Sequence, residues 1–231
     1  MYWPMYYRDP YFWIIIVCLL ISVAAQIRIS AAFKKYSKMR TQKGFSGLQV
    51  ATGILKTKGL YEIQIWQTKG KLTDHYDPKR NVVKLSEPVY GSSSIAACAV
   101  AAHEAAHVLQ GADGYGPYRL RRALVPMTNL VSRLAFPLIL LGIFMGYPAL
   151  IQVGVVAYGV VLVFQLVTLP VEYNASSRAL DELTAHGYVV SDEIHACRKM
   201  LNAAALTYVA AALVTLLQML RLVLLANSRR R

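Results

Sequence analysis

Ala101-Ala102-His103-Glu104-Ala105-Ala106-His107-Val108-Leu109-Gln110 is the stretch from which the rest of this chain can be read. His103 and His107 are four residues apart, so on an α-helix they point the same way, offset by about 40°. Glu104 follows the first of them. From Ile95 to Leu109 the other residues are almost all Ala, Val, Leu and Cys, the composition of a buried helix. Two imidazoles and a carboxylate on such a helix need partners, because a buried polar group without one costs on the order of 1–3 kcal/mol.

Two imidazoles on one helix face can both hold a zinc ion, at roughly 2.0–2.1 Å each. Glu104 then sits where it reaches a metal-bound water without binding metal itself. This is the H-E-x-x-H arrangement of zinc-dependent peptidases, with the Glu as general base. The pattern supplies two ligands and a base, so a third ligand has to come from elsewhere in the chain.

The surrounding sequence is that of a membrane protein. Of 231 residues, 56% are hydrophobic, too many for an ordinary soluble domain. Four runs meet the requirement of about 20 apolar residues: Tyr11–Ile29, Leu130–Tyr147, Ala149–Leu169 and Leu201–Leu225. The second and third read as a hairpin about Gly146-Tyr147-Pro148. In the fourth, Gln218 and Arg221 interrupt the end. The first competes with a cleaved signal peptide, having Ala24 and Ala25 as small residues. Its leader carries Tyr2, Trp3, Tyr6, Tyr7, Tyr11 and Trp13 with a single basic residue, Arg8, which favours a retained span with an interfacial aromatic belt.

Charge sets the expected orientation. Seventeen of the 25 basic residues lie between Arg28 and Arg133, with Lys34, Lys35, Lys38, Arg40 and Lys43 the densest run. Arg178, Arg198 and Lys199 lie between the third and fourth runs. The positive-inside rule places both regions in the cytoplasm and both termini outside, although Arg229-Arg230-Arg231 argues the other way. The net charge of +13 comes without a nucleic-acid recognition module, and anionic lipid headgroups explain basic residues placed beside spans. Cys18, Cys98 and Cys197 have no metal-ligand spacing and read as small buried apolar residues.

Between the first two spans, the spacing predicts a helix over Leu48–Lys58 after the breaker Gly44-Phe45-Ser46-Gly47. Alternation predicts a strand over Leu60–Thr68, a short strand or loop over Leu72–Asp77, and a third strand over Asn81–Ser86. Turn spacing makes these a small antiparallel sheet. Gly91-Ser92-Ser93-Ser94 supplies an N-cap for the motif helix, and Gly111 ends it. Substrate peptides commonly add as a strand to an exposed sheet edge, and Asn81–Ser86, leading into the motif helix, is the candidate edge.

The third-ligand candidate is Glu172 in Leu169-Pro170-Val171-Glu172-Tyr173-Asn174-Ala175-Ser176, where Pro170 is placed to break or start a helix. A carboxylate completing a His, His, Glu set leaves a position for water. The competing reading is a surface Glu favoured by a helix dipole.

Gly70-Lys71-Leu72-Thr73-Asp74-His75-Tyr76-Asp77-Pro78, then Val83-Lys84-Leu85-Ser86 and the His103–Gln110 motif, closely resemble the YugP-type bacterial membrane zinc metallopeptidases. Leu169–Ser176 is similar to that family's L-P-V-E-[FY]-x-A-S signature. The layout also looks like that of HtpX-like gluzincins, in which a pair of spans separates H-E-x-x-H from the ligand Glu. The resemblance implies Glu172 as the third zinc ligand. Soluble gluzincins often carry an Asp four residues after that Glu to orient a ligating His. Here the position is Ser176, which leaves Asn174 or Asp181 to take the role.

His75 and His186 are candidate hydrogen-bond donors to the tetrahedral intermediate, each against an ordinary loop or helix role. Arg178 is a candidate oxyanion stabiliser against a plain interfacial charge.

The expected fold is an α+β membrane protein of about four transmembrane helices, with a small zincin-like catalytic unit made of a short antiparallel sheet and the H-E-x-x-H helix. Its expected organisation is an N-terminal transmembrane helix (1–29), a cytoplasmic catalytic region (30–126), a transmembrane hairpin (127–169), a helix supplying the third ligand (170–200) and a C-terminal transmembrane helix (201–231). The expected function is that of a multi-pass cell-membrane zinc endopeptidase. Zn2+ is held by His103, His107 and Glu172, and its water, with a pKa lowered to about 7, is deprotonated by Glu104. Its partners are the lipid bilayer and peptide or protein substrates, membrane proteins among them, and not nucleic acid. The rival readings are a metal-stabilised scaffold or chaperone without activity, and a metal transporter with intramembrane ligands.

Overall fold

The computed structural model describes residues 10–228. The aromatic leader from Tyr2 to Arg8 and the terminal Arg229–Arg231 lie outside the described residues. In chain order the elements are α1 (Trp13–Tyr36), α2 (Gly47–Thr57), β1 (Gln64–Thr68), β2 (His75–Asp77), β3 (Val82–Ser86), α3 (Glu87–Tyr90), α4 (Ile95–Ala112), α5 (Gly116–Met145), α6 (Pro148–Ala185) and α7 (Ser191–Ser228). They fall into two compact units.

One unit takes its described residues from the chain up to Gln26, from Leu120–Leu169 and from Thr207 onward. It holds the apolar runs of α1, α5, α6 and α7, which among the described residues are the four helices long and apolar enough to cross a membrane. Large apolar side chains such as Leu19, Leu130, Val156 and Leu216 are exposed on these helices. The chain turns between α5 and α6 at Gly146, in the left-handed region with φ 68°. Gly154 lets these two helices approach, since a Cβ there would stand 2.2 Å from Ile139 Cγ1.

The second unit comprises Ile27–Arg119 and Pro170–Leu206 and is built around α4. Ser94 caps α4 by accepting from Ala97 N at 3.2 Å. Its alanines at 96, 97, 99, 101, 102, 105 and 106 are fully buried. Small side chains on every face let α2, α3 and the sheet pack directly on this helix. Val50, Ile54 and Leu55 of α2, Val83 and Leu85 of β3, and Leu183, Met200 and Leu201 complete the core.

The sheet differs from the sequence expectation. It is mixed, in the order β1-β3-β2, with β1 parallel to β3 and β2 antiparallel to it. The β2–β3 hairpin turns at Asn81, φ 54°, while the link from β1 to β2 carries the chain past a vacant position that β3 then fills. Asn81–Ser86 is therefore not an edge: β3 is the central strand, buried at four of its five residues. Nor does it lead straight into α4, since α3 intervenes.

Other boundaries shift for local reasons. β1 starts at Gln64 rather than Leu60 because the end of α2 captures Leu60. Gly59 has φ 74°, Gly59 N donates to Lys56 O and Leu60 N to Leu55 O, both at 3.0 Å, which is a Schellman cap. α4 runs on past Gly111 to Ala112. Pro170 neither starts nor breaks a helix. It sits inside α6, so one helix carries both the third apolar run and Glu172. The stretch 170–200 holds the end of α6 and the start of α7, joined by a turn at Gly187.

Candidate metal centre

His103, His107 and Glu172 come together within the second unit. One ligand atom from each lies within 4.8 Å of the other two. His103 Nε2 is 3.2 Å from Glu172 Oε2, and His107 Nε2 is 3.6 Å from the same oxygen. A tetrahedral zinc with bonds of roughly 2.0–2.1 Å holds its ligand atoms about 3.3–3.4 Å apart, so these spacings fit the ion. The two rings stand nearly perpendicular, with centroids 4.7 Å apart and an interplanar angle of 85°. The i, i+4 spacing on α4 aligns them, and Glu172 of α6 faces both.

Glu172 is 1% exposed. Burial alone pushes its carboxyl up, but the imidazoles of His103 and His107 outweigh burial and hold it well below the usual carboxylate range. A carboxylate binds metal in its ionised form. Glu104, next to His103, is also buried.

The outer nitrogens of both imidazoles are occupied. His107 Nδ1 lies 2.9 Å from Gln110 Oε1. Gln110 in turn donates through Nε2 to Val171 O at 2.8 Å and to Asn174 Oδ1 at 2.9 Å. His103 Nδ1 lies 3.3 Å from Ser176 Oγ. Ser176, at the position where the resemblance to gluzincins sets an Asp, itself reaches His103. Asn174 acts one step out, through Gln110. Asp181 lines a cleft of about 210 Å3 with Lys58, Leu60, Arg178 and Glu182.

The other candidates are engaged elsewhere. His75 Nδ1 bonds Thr73 O at 2.8 Å. His186 Nε2 bonds Glu182 Oε2 at 3.0 Å, and Lys58 holds the other oxygen of Glu182 at 2.8 Å. Arg178 donates through Nε to Asn174 Oδ1 at 2.9 Å, pairs with Asp113 and lies over the Tyr115 ring. The sequence reading missed Gln110 and Tyr118. Tyr118 stacks on His107 with centroids 6.3 Å apart, and a Cβ added at Gly111 would stand 3.4 Å from the Tyr118 ring.

A family model described as "Putative neutral zinc metallopeptidase" matches residues 11–227. The chain is also 45% identical over 210 residues to "Putative membrane protease YugP" of Bacillus subtilis (strain 168), covering 91% of this chain and 93% of that protein. No solved structure matches the chain.

Proposed function

Since the chain belongs to the neutral zinc metallopeptidase family, whose cofactor is Zn2+, we propose that it is an integral membrane endopeptidase with its site on the cytoplasmic face. The observation that carries this reading is the convergence of His103 Nε2, His107 Nε2 and Glu172 Oε2. Two neutral nitrogens and one carboxylate, with room for a water, make the donor set of a catalytic zinc site. When bound there, zinc supplies Lewis-acid polarisation of the scissile carbonyl and lowers the pKa of water.

The residues of the chain do the rest. The Glu104 carboxylate takes a proton from the attacking water as the new C–O bond forms. It returns that proton to the departing nitrogen as the C–N bond breaks. Its place beside His103 on a buried helix keeps it next to the reacting atoms. An extended substrate pairs with a sheet edge. With β3 central, the edge that packs against α4 is β2, so His75–Asp77 is the strand expected to receive it. Asp74 anchors that strand by accepting from Ser86 N at 2.7 Å and Ser86 Oγ at 2.9 Å.

The membrane reading is supported by the four apolar helices and by the name of the Bacillus relative. The test is purified protein assayed on casein, with zinc measured in the same samples. Glu104→Gln is expected to keep its zinc and lose about 10²–10⁴-fold in cleavage rate. Full cleavage by that variant would overturn the assignment. Zinc retention without cleavage in the unsubstituted chain would favour the scaffold, and zinc flux into liposomes the transporter.

A further inference from the structure

Gln110 is fully buried, and a buried primary amide has to be satisfied at both ends. Its surroundings leave one arrangement. The Val171 carbonyl can only accept, so the group facing it at 2.8 Å is the amide NH2. The second hydrogen of that NH2 goes to Asn174 Oδ1. The orientation of Asn174 is fixed independently, because Arg178 Nε is a donor only and lies 2.9 Å from the same Oδ1. Arg178 is itself anchored by Asp113. With its nitrogen committed twice, Gln110 offers only Oε1 to His107 Nδ1. The proton of a neutral His107 then belongs on Nδ1, and the lone pair on Nε2, the atom facing Glu172.

From this geometry we infer that Gln110 is a positioning residue that selects the metal-binding tautomer of His107, with Val171 O, Asn174 and Arg178 setting the direction of its amide. His103 has no such device. Its Nδ1 meets the Ser176 hydroxyl, which donates or accepts equally well, so the two ligands are prepared unequally. The inference rests on the zinc-site reading given above, but the tautomer of the metal-free ring tests it separately.

The experiment is ¹⁵N-histidine NMR of the full-length, metal-free protein in detergent, at a pH where the His107 ring is neutral. Signals are assigned by loss in His107→Gln. Chelator competition for zinc follows on the same proteins. In the unsubstituted chain His107 is expected to carry its proton on Nδ1. In Gln110→Met the Nε2–H form is expected to dominate, and zinc affinity to fall about 10- to 100-fold, the range for losing a hydrogen bond that supports a ligand. Ser176→Ala is expected to leave the His107 tautomer unchanged.

An Nε2–H ring in the unsubstituted chain overturns the inference. So does a folded Gln110→Met that keeps both the Nδ1–H ring and full zinc affinity. If Gln110→Met does not fold, the unsubstituted spectrum decides alone: Nδ1–H supports the inference and Nε2–H overturns it. An Nδ1–H ring in a protein that binds no zinc would sink the peptidase reading and leave the tautomer assignment standing.

Discussion

Ser176 and Gln110 support the two imidazoles by different chemistry, and the difference is measurable. A hydroxyl at 3.3 Å steadies His103 without selecting its tautomer. Ser176→Ala is therefore expected to weaken zinc by about 10-fold, the low end of the range for such partners, read by chelator competition. Arg178, weighed from sequence as an oxyanion stabiliser, is bound to Asn174 and Asp113 instead. Arg178→Met is expected to lower zinc affinity while leaving kcat of the zinc-saturated protein within about 2-fold, since a group acting only through a ligand does not touch the transition state. A large kcat loss at saturating zinc would restore the oxyanion role. Cys98 is also sharply constrained. Burial pushes its thiol up to about 11. A raised thiol pKa means less thiolate at neutral pH, about one part in a thousand at pH 8. In a Cys18→Ala, Cys197→Ala chain, maleimide labelling of folded protein should be very slow at pH 8 and become fast once denaturant opens the fold. The approach of His103 and His107 was legible because their i, i+4 spacing carries it, whereas Glu172 was a candidate by residue type and position that the family resemblance singled out. Gln110 stood in plain view three residues beyond His107, but its role depends on the carbonyl of Val171, sixty-one positions away, which no local pattern encodes.

At the level of elements, the sequence was most informative where one helix or cap decides the matter. α2 lies one residue from its expected span, and Ser46 and Gln49 form the reciprocal cap that starts it, with Ser46 N donating to Gln49 Oε1 at 2.8 Å. Sheet order was read wrongly because turn spacing speaks only for neighbours in sequence. The corrective signal was present in Val82-Val83-Lys84-Leu85, whose near-continuous apolar run suits a strand buried on both faces. Pro170 was given too much weight. A proline inside a helix removes one hydrogen bond and kinks or breaks many helices, yet α6 continues through it. Close packing sets a further test. A Cβ on Gly47 would stand 2.3 Å from Val89 O, a backbone atom that cannot rotate away. Gly47→Ala is expected to destabilise the fold by about 1–3 kcal/mol, measured as a lowered thermal midpoint in detergent. An unchanged midpoint would mean that α2 and α3 are not packed this way.

For the molecule as a whole, each of the four apolar runs found in the sequence overlaps a long helix, the first starting two residues before α1 and the second ending two residues after α5, and the candidate site residues His103, His107 and Glu172 all belong to the other compact unit. The proposed orientation, with the site on the cytoplasmic face, is argued from the basic residues between Arg28 and Arg133. It is checked with an impermeant thiol reagent on intact cells expressing a chain whose native cysteines are replaced. Tyr147→Cys is expected to label from outside, and Lys71→Cys only after permeabilisation. The reverse pattern would put the site on the outer face. The proposed hydrolysis, however, depends on Glu172 closing a zinc site begun by His103 and His107. The direct measurement is the zinc content of purified Glu172→Ala. Loss of nearly all zinc under conditions where the unsubstituted chain retains about one ion is the expected result, since removing a ligand costs more than the roughly 100-fold of removing a ligand's support. A Glu172→Ala protein that keeps a full zinc ion and cleaves casein at the unsubstituted rate would contradict it.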